Sequence, residues 1–90
     1  MKTVVFYERG SHVTKEKVME IYPVHKQLVD EFSNDGKVVA IGAFANPADG
    51  SMGIFKDSMS AEEFVHRDPF VKEGIVGKIT IKEWNEILLS

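Results

Sequence analysis

The sequence predicts an α+β fold built in the order β-α-β-β-α-β, and three observations carry that prediction. Short β-branched and aromatic runs stand at both ends and in the middle of the chain. One long stretch between them repeats its apolar residues at helical period. Turn-forming clusters separate the runs at spacings too short for a second domain. With 90 residues the chain makes one domain, taken as 1–90.

Residues 3–8 are β-branched and aromatic and predict the first strand. Arg9 to Val13 holds Gly10 and Ser11 and is expected to loop. Thr14 is placed to cap a helix, since its hydroxyl can accept an orphan amide of the first turn. Val18, Ile21, His25, Leu28 and Phe32 then recur at steps of three and four and form one stripe. Pro23 lies inside that stripe. Its missing N–H predicts a kink, or a break with a second helix beginning there. Gly36 is the expected stop.

Residues 37–45 are apolar throughout, which predicts a second strand covered on both faces. Pro47, Asp49 and Gly50 form a turn cluster, and residues 51–56 complete a hairpin. Ser60-Ala61-Glu62-Glu63 fits a capping box for a short helix over roughly 61–66. Asp68 precedes Pro69, which suits the first position of a further helical turn that Gly74 would end. Val76, Ile79 and Ile81 mark the last strand over 76–84. Residues 85–90 are a tail, with a strand extension at a partner subunit as one use for it. This order is the ferredoxin-like, split βαβ pattern with a four-stranded antiparallel sheet. Two helices cover one face of such a sheet. The bare face predicts a symmetric homodimer.

Composition excludes several functions. Apolar residues make up 43% and charged ones 28% of the chain, which argues against disorder. The net charge of −3 lacks the basic excess of a nucleic-acid binder. The RNA-recognition motif shares the element order, but Ser51-Met52-Gly53-Ile54-Phe55-Lys56 offers one aromatic and one lysine where base stacking needs more. With no cysteine, the chain has no disulfide, thiolate metal site or cysteine nucleophile. No run has the length of a signal core or a membrane span, so a cytoplasmic protein without membrane or nucleic-acid partners is expected.

Two residues stand out chemically. His25 interrupts an apolar stripe where an aliphatic side chain would pack better, and imidazole exchanges protons near neutral pH. A histidine packed at the stripe's edge is the plainer reading. Asp68 is an ordinary helix N-cap by position, yet a capping carboxylate can spare an oxygen for a partner. Together they would form a proton-transfer unit, in which the carboxylate fixes the imidazole tautomer and stabilises the imidazolium. No Gly-x-Ser-x-Gly elbow accompanies them. His12, in a polar loop, and His66, near a helix end, are expected at the surface. The three histidines lack metal-ligand spacing, so no metal is expected. Gly50-Ser51-Met52-Gly53 lacks the lysine and the helix of a phosphate loop. Gly42, inside a strand, suggests a bulge or a close approach by a ligand. Tyr7, Phe44, Phe55 and Trp84 are expected in the core or an interface.

Several segments resemble the YciI-related family. Asp68-Pro69-Phe70-Val71-Lys72-Glu73-Gly74 resembles its Asp-Pro-Phe/Tyr-Val-x-x-Gly signature. Pro23-Val24-His25 followed by Leu28 is similar to its Pro-x-His-x-x-x-Leu segment. Gly36-Lys37 and then Gly42-Ala43-Phe44 resemble a further stretch, with Ala43 where the family has proline. Ile79 to Trp84 looks like its last strand, so the likeness spans the chain. It implies a dimeric α/β barrel whose cleft is lined by His25 and Asp68; Gly42, Phe44, Tyr7 and Phe70 are expected to contact a substrate. The expected activity is cofactor-free proton transfer, of isomerase, lyase or hydrolase type, on a small cyclic or aromatic molecule. A non-catalytic ligand-binding or regulatory dimer and a cofactor-free monooxygenase are the alternatives.

Overall fold

A computed structural model describes residues 1–87. The elements run β1 (Lys2–Arg9), α1 (Lys15–Asn34), β2 (Val38–Ala43), β3 (Ser51–Phe55), α2 (Ser58–Arg67), α3 (Pro69–Lys72) and β4 (Val76–Trp84). The four strands form one sheet in the order β2-β3-β1-β4, and every neighbouring pair is antiparallel.

Strand alternation divides the sheet into two unlike faces. Ile41, Gly53, Val5 and Ile81 form one cross-strand row, and Ala43, Ser51, Tyr7 and Ile79 form the next. These rows face the helices. Val5, Tyr7 and Phe55 join Leu28 and Phe32 of α1 and Ala61 and Phe64 of α2 in the core. Phe32 stands edge-on to Phe64 at 5.2 Å between centroids, an arrangement that aligns ring edge with ring face. The opposite face carries the rows Ala40–Ile54–Val4–Lys82 and Gly42–Met52–Phe6–Thr80, with Trp84 beyond them. Among the described residues no helix covers it.

Sequence periodicity and structure differ at three places. Pro23 neither breaks nor ends α1, which runs unbroken for 20 residues. The carbonyl that Pro23 leaves without an amide belongs to Met19. Both residues are exposed, so water can satisfy it, while Leu28 and Phe32 anchor the helix beyond. The second correction concerns α2, which begins at Ser58 rather than 61. Its cap is Asp57, whose carboxylate accepts from the Ser60 amide at 2.8 Å. Ser60 is buried in the first turn and is not the cap. Third, β2 is an edge strand of the single chain, and Val39, Ala40, Gly42 and Ala43 are exposed. Its apolar run reflects a bulge at Val39 and an uncovered face rather than burial on both sides.

The end of α1 follows the expectation. Gly36 takes a positive φ of 70°, its amide bonds to the Ser33 carbonyl, and the Lys37 amide reaches back to Phe32 at 2.8 Å. This is the Schellman closure that glycine permits. The turn at residues 46–51 contains a single 3₁₀ turn, Pro47–Asp49, capped by the Asn46 side chain. Of the tail, residues 85–87 have no regular structure and 88–90 lie outside the described residues. Among the described residues no helix is long and apolar enough to cross a membrane.

Candidate active site

The site grows out of the end of α2. Asp68 has extended dihedrals, as a residue before proline should, and accepts from the Phe70 amide at 3.0 Å to start α3. The same oxygen, Oδ1, lies 2.8 Å from His25 Nδ1. The other, Oδ2, accepts from the Tyr7 hydroxyl at 2.8 Å. Residues far apart in the chain thus converge on one carboxylate whose side chain is fully buried.

This arrangement fixes proton positions. A carboxylate only accepts. With the Phe70 amide and the Tyr7 hydroxyl donating, the imidazole contact is satisfied when His25 Nδ1 carries hydrogen. The lone pair of the neutral ring then sits on Nε2. Tyr7 is itself buried, and its phenol is pushed far above the ordinary tyrosine range. Burial is the main cause, followed by the charge of Asp68 and the hydrogen bond to it. Tyr7 therefore serves as a fixed neutral donor.

The His25 ring stacks on Phe70, with centroids 4.0 Å apart and planes within 7°. Phe64 meets it edge-on at 6.0 Å. The His25 side chain keeps 12% exposure, so its outer edge reaches a cavity of about 430 Å³. The rows Ile41–Gly53–Val5 and Ala43–Ser51–Tyr7 floor that cavity. Val18, Tyr22, His25 and Val29 of α1 roof it, and Phe70 closes one side.

Of the residues expected at a site, His25, Asp68, Tyr7 and Phe70 come together here. Phe44 does not line the cavity. It lies past the end of β2, where its amide bonds to the Gly50 carbonyl at 2.9 Å. Gly42 borders the cavity, but by register it belongs to the row on the open face. A Cβ built there would meet no atom of the chain within 4 Å, and the bulge of β2 is at Val39, so a bulge is not the reason for this glycine. Val18 stood in the predicted stripe but was not expected at a site, and Tyr22 and Val29 escaped the sequence reading. Their signal was the spacing of four, three and four from Val18 through Tyr22 and His25 to Val29, a second stripe beside the first. His12 and His66 are exposed. Among the described residues no group of three or more His, Asp or Glu side chains is placed to hold a metal ion.

A His–Asp–Tyr cluster thus lies beside an apolar cavity, on the helix side of a four-stranded antiparallel sheet in an α+β domain. The chain belongs to the YCII-related domain family, whose pattern matches residues 1–85. Solved structures share the fold, two of them as follows. One is a 5-chloro-2-hydroxyhydroquinone dehydrochlorinase from Burkholderia phenoliruptrix, in complex with 2,5-dihydroxybenzoquinone. It matches at 19% identity and a TM-score of 0.74 over 94% of both chains. The other is a hypothetical Arabidopsis thaliana protein solved in solution, at 16% identity and a TM-score of 0.55. That match covers 99% of this chain and 89% of the other. No curated protein matches the sequence.

Proposed function

We propose that this chain is a cofactor-free enzyme that moves a proton on a small cyclic or aromatic substrate. The observation that carries this reading is the 2.8 Å contact between His25 Nδ1 and the fully buried Asp68, at the wall of an apolar cavity. His25 Nε2 takes a proton from an acidic O–H or C–H of the substrate. The imidazolium that results is held by Asp68, and the electron pair left on the substrate expels a leaving group or is protonated elsewhere. His25 then returns its proton to product or water. Asp68 touches no substrate in this scheme; it and the Tyr7 hydroxyl act as positioning groups, with Phe70 setting the plane of the imidazole, while the Tyr7 ring forms part of the cavity floor.

The substrate class follows from the walls. A cavity of this size takes a single substituted ring, and its lining of Val, Ile, Phe and Tyr favours an apolar planar body. The dehydrochlorinase is named for a chlorinated hydroxyhydroquinone and was solved with a dihydroxybenzoquinone, which supports hydroxylated rings as the first compounds to try.

The working unit in this proposal is a homodimer, a dimeric α/β barrel of two ferredoxin-like sheets. Its support is the open sheet face, where Val4, Phe6, Met52, Ile54 and Trp84 surround a shallow apolar depression. A second copy would cover this face.

The test is turnover of a panel of halogenated hydroquinones and lactones, followed by chloride release, ring absorbance and acid production. Activity in the parent chain that falls by about 10²–10⁴-fold in His25→Ala is expected. Ligand binding without turnover across the panel would replace this reading with a non-catalytic binding dimer. Oxygen consumption with a phenol would replace it with a monooxygenase.

A further inference from the structure

A second, smaller cavity of about 130 Å³ adjoins the first, and Tyr7, Val18, Ala43, Ser51 and Phe70 wall both. Arg9 lines the second cavity and not the first. Arg9 follows Tyr7 by two residues at the end of β1, where the pairing with β4 shifts register between Glu8 and Arg9. Its Nη2 donates to the Val13 carbonyl at 3.1 Å, which uses one of the five N–H groups of the guanidinium. The other charged side chains that wall these cavities already have partners. Lys26 pairs with Asp30, and Glu8 lies 3.8 Å from Lys78. Among the described residues no carboxylate lies within 4 Å of Arg9, although the chain carries a net negative charge.

From this juxtaposition we infer that the ligand is elongated. A ring occupies the larger cavity beside His25, and a short arm passes Tyr7 and Phe70 to place a carboxylate on Arg9. A guanidinium with a free edge suits a planar carboxylate, because two parallel N–H groups meet two oxygens. The inference deepens the proposed function and uses the same site. Arg9 sets which rings are accepted and has no part in the proton transfer.

Calorimetric titration of the full chain with 4-phenylbutyrate and 4-phenylbutan-1-ol tests it, since the two share ring and tether and differ in the terminal group. The acid is expected to bind about tenfold more tightly, one charge-assisted contact's worth. Arg9→Gln should bring the ratio to about one while leaving the alcohol's affinity unchanged, and Arg9→Lys should give an intermediate ratio. Lys26→Gln should leave the ratio intact. A parent ratio near one, no binding of either probe at millimolar concentration, a ratio that survives Arg9→Gln or one that is lost in Lys26→Gln would each overturn the inference. Should Arg9→Gln fail to fold, an unchanged ratio in Arg9→Lys decides against it. His25→Gln separates this inference from the catalytic one. It should abolish turnover and keep the preference for the acid, whereas absence of turnover in the parent chain would sink catalysis and leave the ratio standing.

Discussion

The imidazole of His25 lies flat on the ring of Phe70, at 4.0 Å between centroids, while the backbone amide of Phe70 donates to the carboxylate that holds the same imidazole. One residue thus orients His25 twice, through its side chain directly and through its main chain by way of Asp68. Only the first of these depends on the aromatic ring. Phe70→Leu should keep α3 and its cap and lose the stack, lowering stability by about 1–2 kcal/mol in urea unfolding. The freed ring should also lose turnover mainly in kcat. An unchanged kcat would show that Asp68 alone orients His25.

Tyr7→Phe removes the donor to Asp68 Oδ2 and little else, so it should cost about 1–3 kcal/mol. Its effect on pH dependence has a definite sign. The folded protein holds the Tyr7 phenol neutral far above its ordinary range, while the unfolded chain releases that proton near pH 10. Stability from this group is complete below about pH 10. Above it the unfolded state binds fewer protons, and stability falls by up to about 1.4 kcal/mol per pH unit. Unfolding midpoints between pH 9 and 11.5 should therefore fall more steeply in the parent chain than in Tyr7→Phe. Parallel curves would contradict the burial and bonding of this hydroxyl.

Asp68 invites a comparison of two substitutions. Asparagine keeps an oxygen for the Phe70 amide and remains a good N-cap, so Asp68→Asn should fold with a loss of about 1–2 kcal/mol. Alanine leaves Tyr7, His25 and the Phe70 amide without their common acceptor, and Asp68→Ala should cost at least about 2 kcal/mol more. Thermal unfolding ranks the two. Turnover should be lost in both, because neither side chain carries the charge that balances the imidazolium.

Two glycines should respond in opposite ways. Gly50 has a φ of 91°, and a Cβ there would stand 1.9 Å from the Tyr7 carbonyl oxygen, so Gly50→Ala should cost at least about 2 kcal/mol. Gly42→Ala meets nothing within the chain and should leave monomer stability within about 0.5 kcal/mol. Its methyl would project from the open sheet face, so paired sheets should feel it as a dimer dissociation constant raised several-fold in sedimentation. An unaffected constant would remove Gly42 from the interface. A parent chain that is monomeric at every concentration would remove the interface itself.

The strands and the long helix were legible because period two and period 3.6 are imposed by backbone geometry before any tertiary contact forms. The cap of α2 was less so. Asp57 and Ser60 are both good caps three residues apart, and the choice rests on which of them the core buries. The edge position of β2 was hidden for a similar reason, since a continuous apolar run looks the same whether its own chain or another covers it. At the site, His25 was conspicuous as a polar residue on an apolar stripe. Tyr7 could be placed on the inner face of β1 with Val5, but its hydroxyl partner is 61 residues away and no local pattern joins them.

Asp68 starts a helix whether or not any chemistry follows. A related chain that had abandoned catalysis would still gain by keeping this aspartate for the Phe70 amide, so its presence says little about activity. The position corresponding to His25 carries that information instead. No cap or turn depends on an imidazole there, and a leucine would fill the stripe at the cost of one of the three partners of the buried Asp68 carboxylate. Under the proposed function, sorting relatives by that single position, and not by the Asp-Pro segment, should divide those that turn over a substrate from those that only hold the shape.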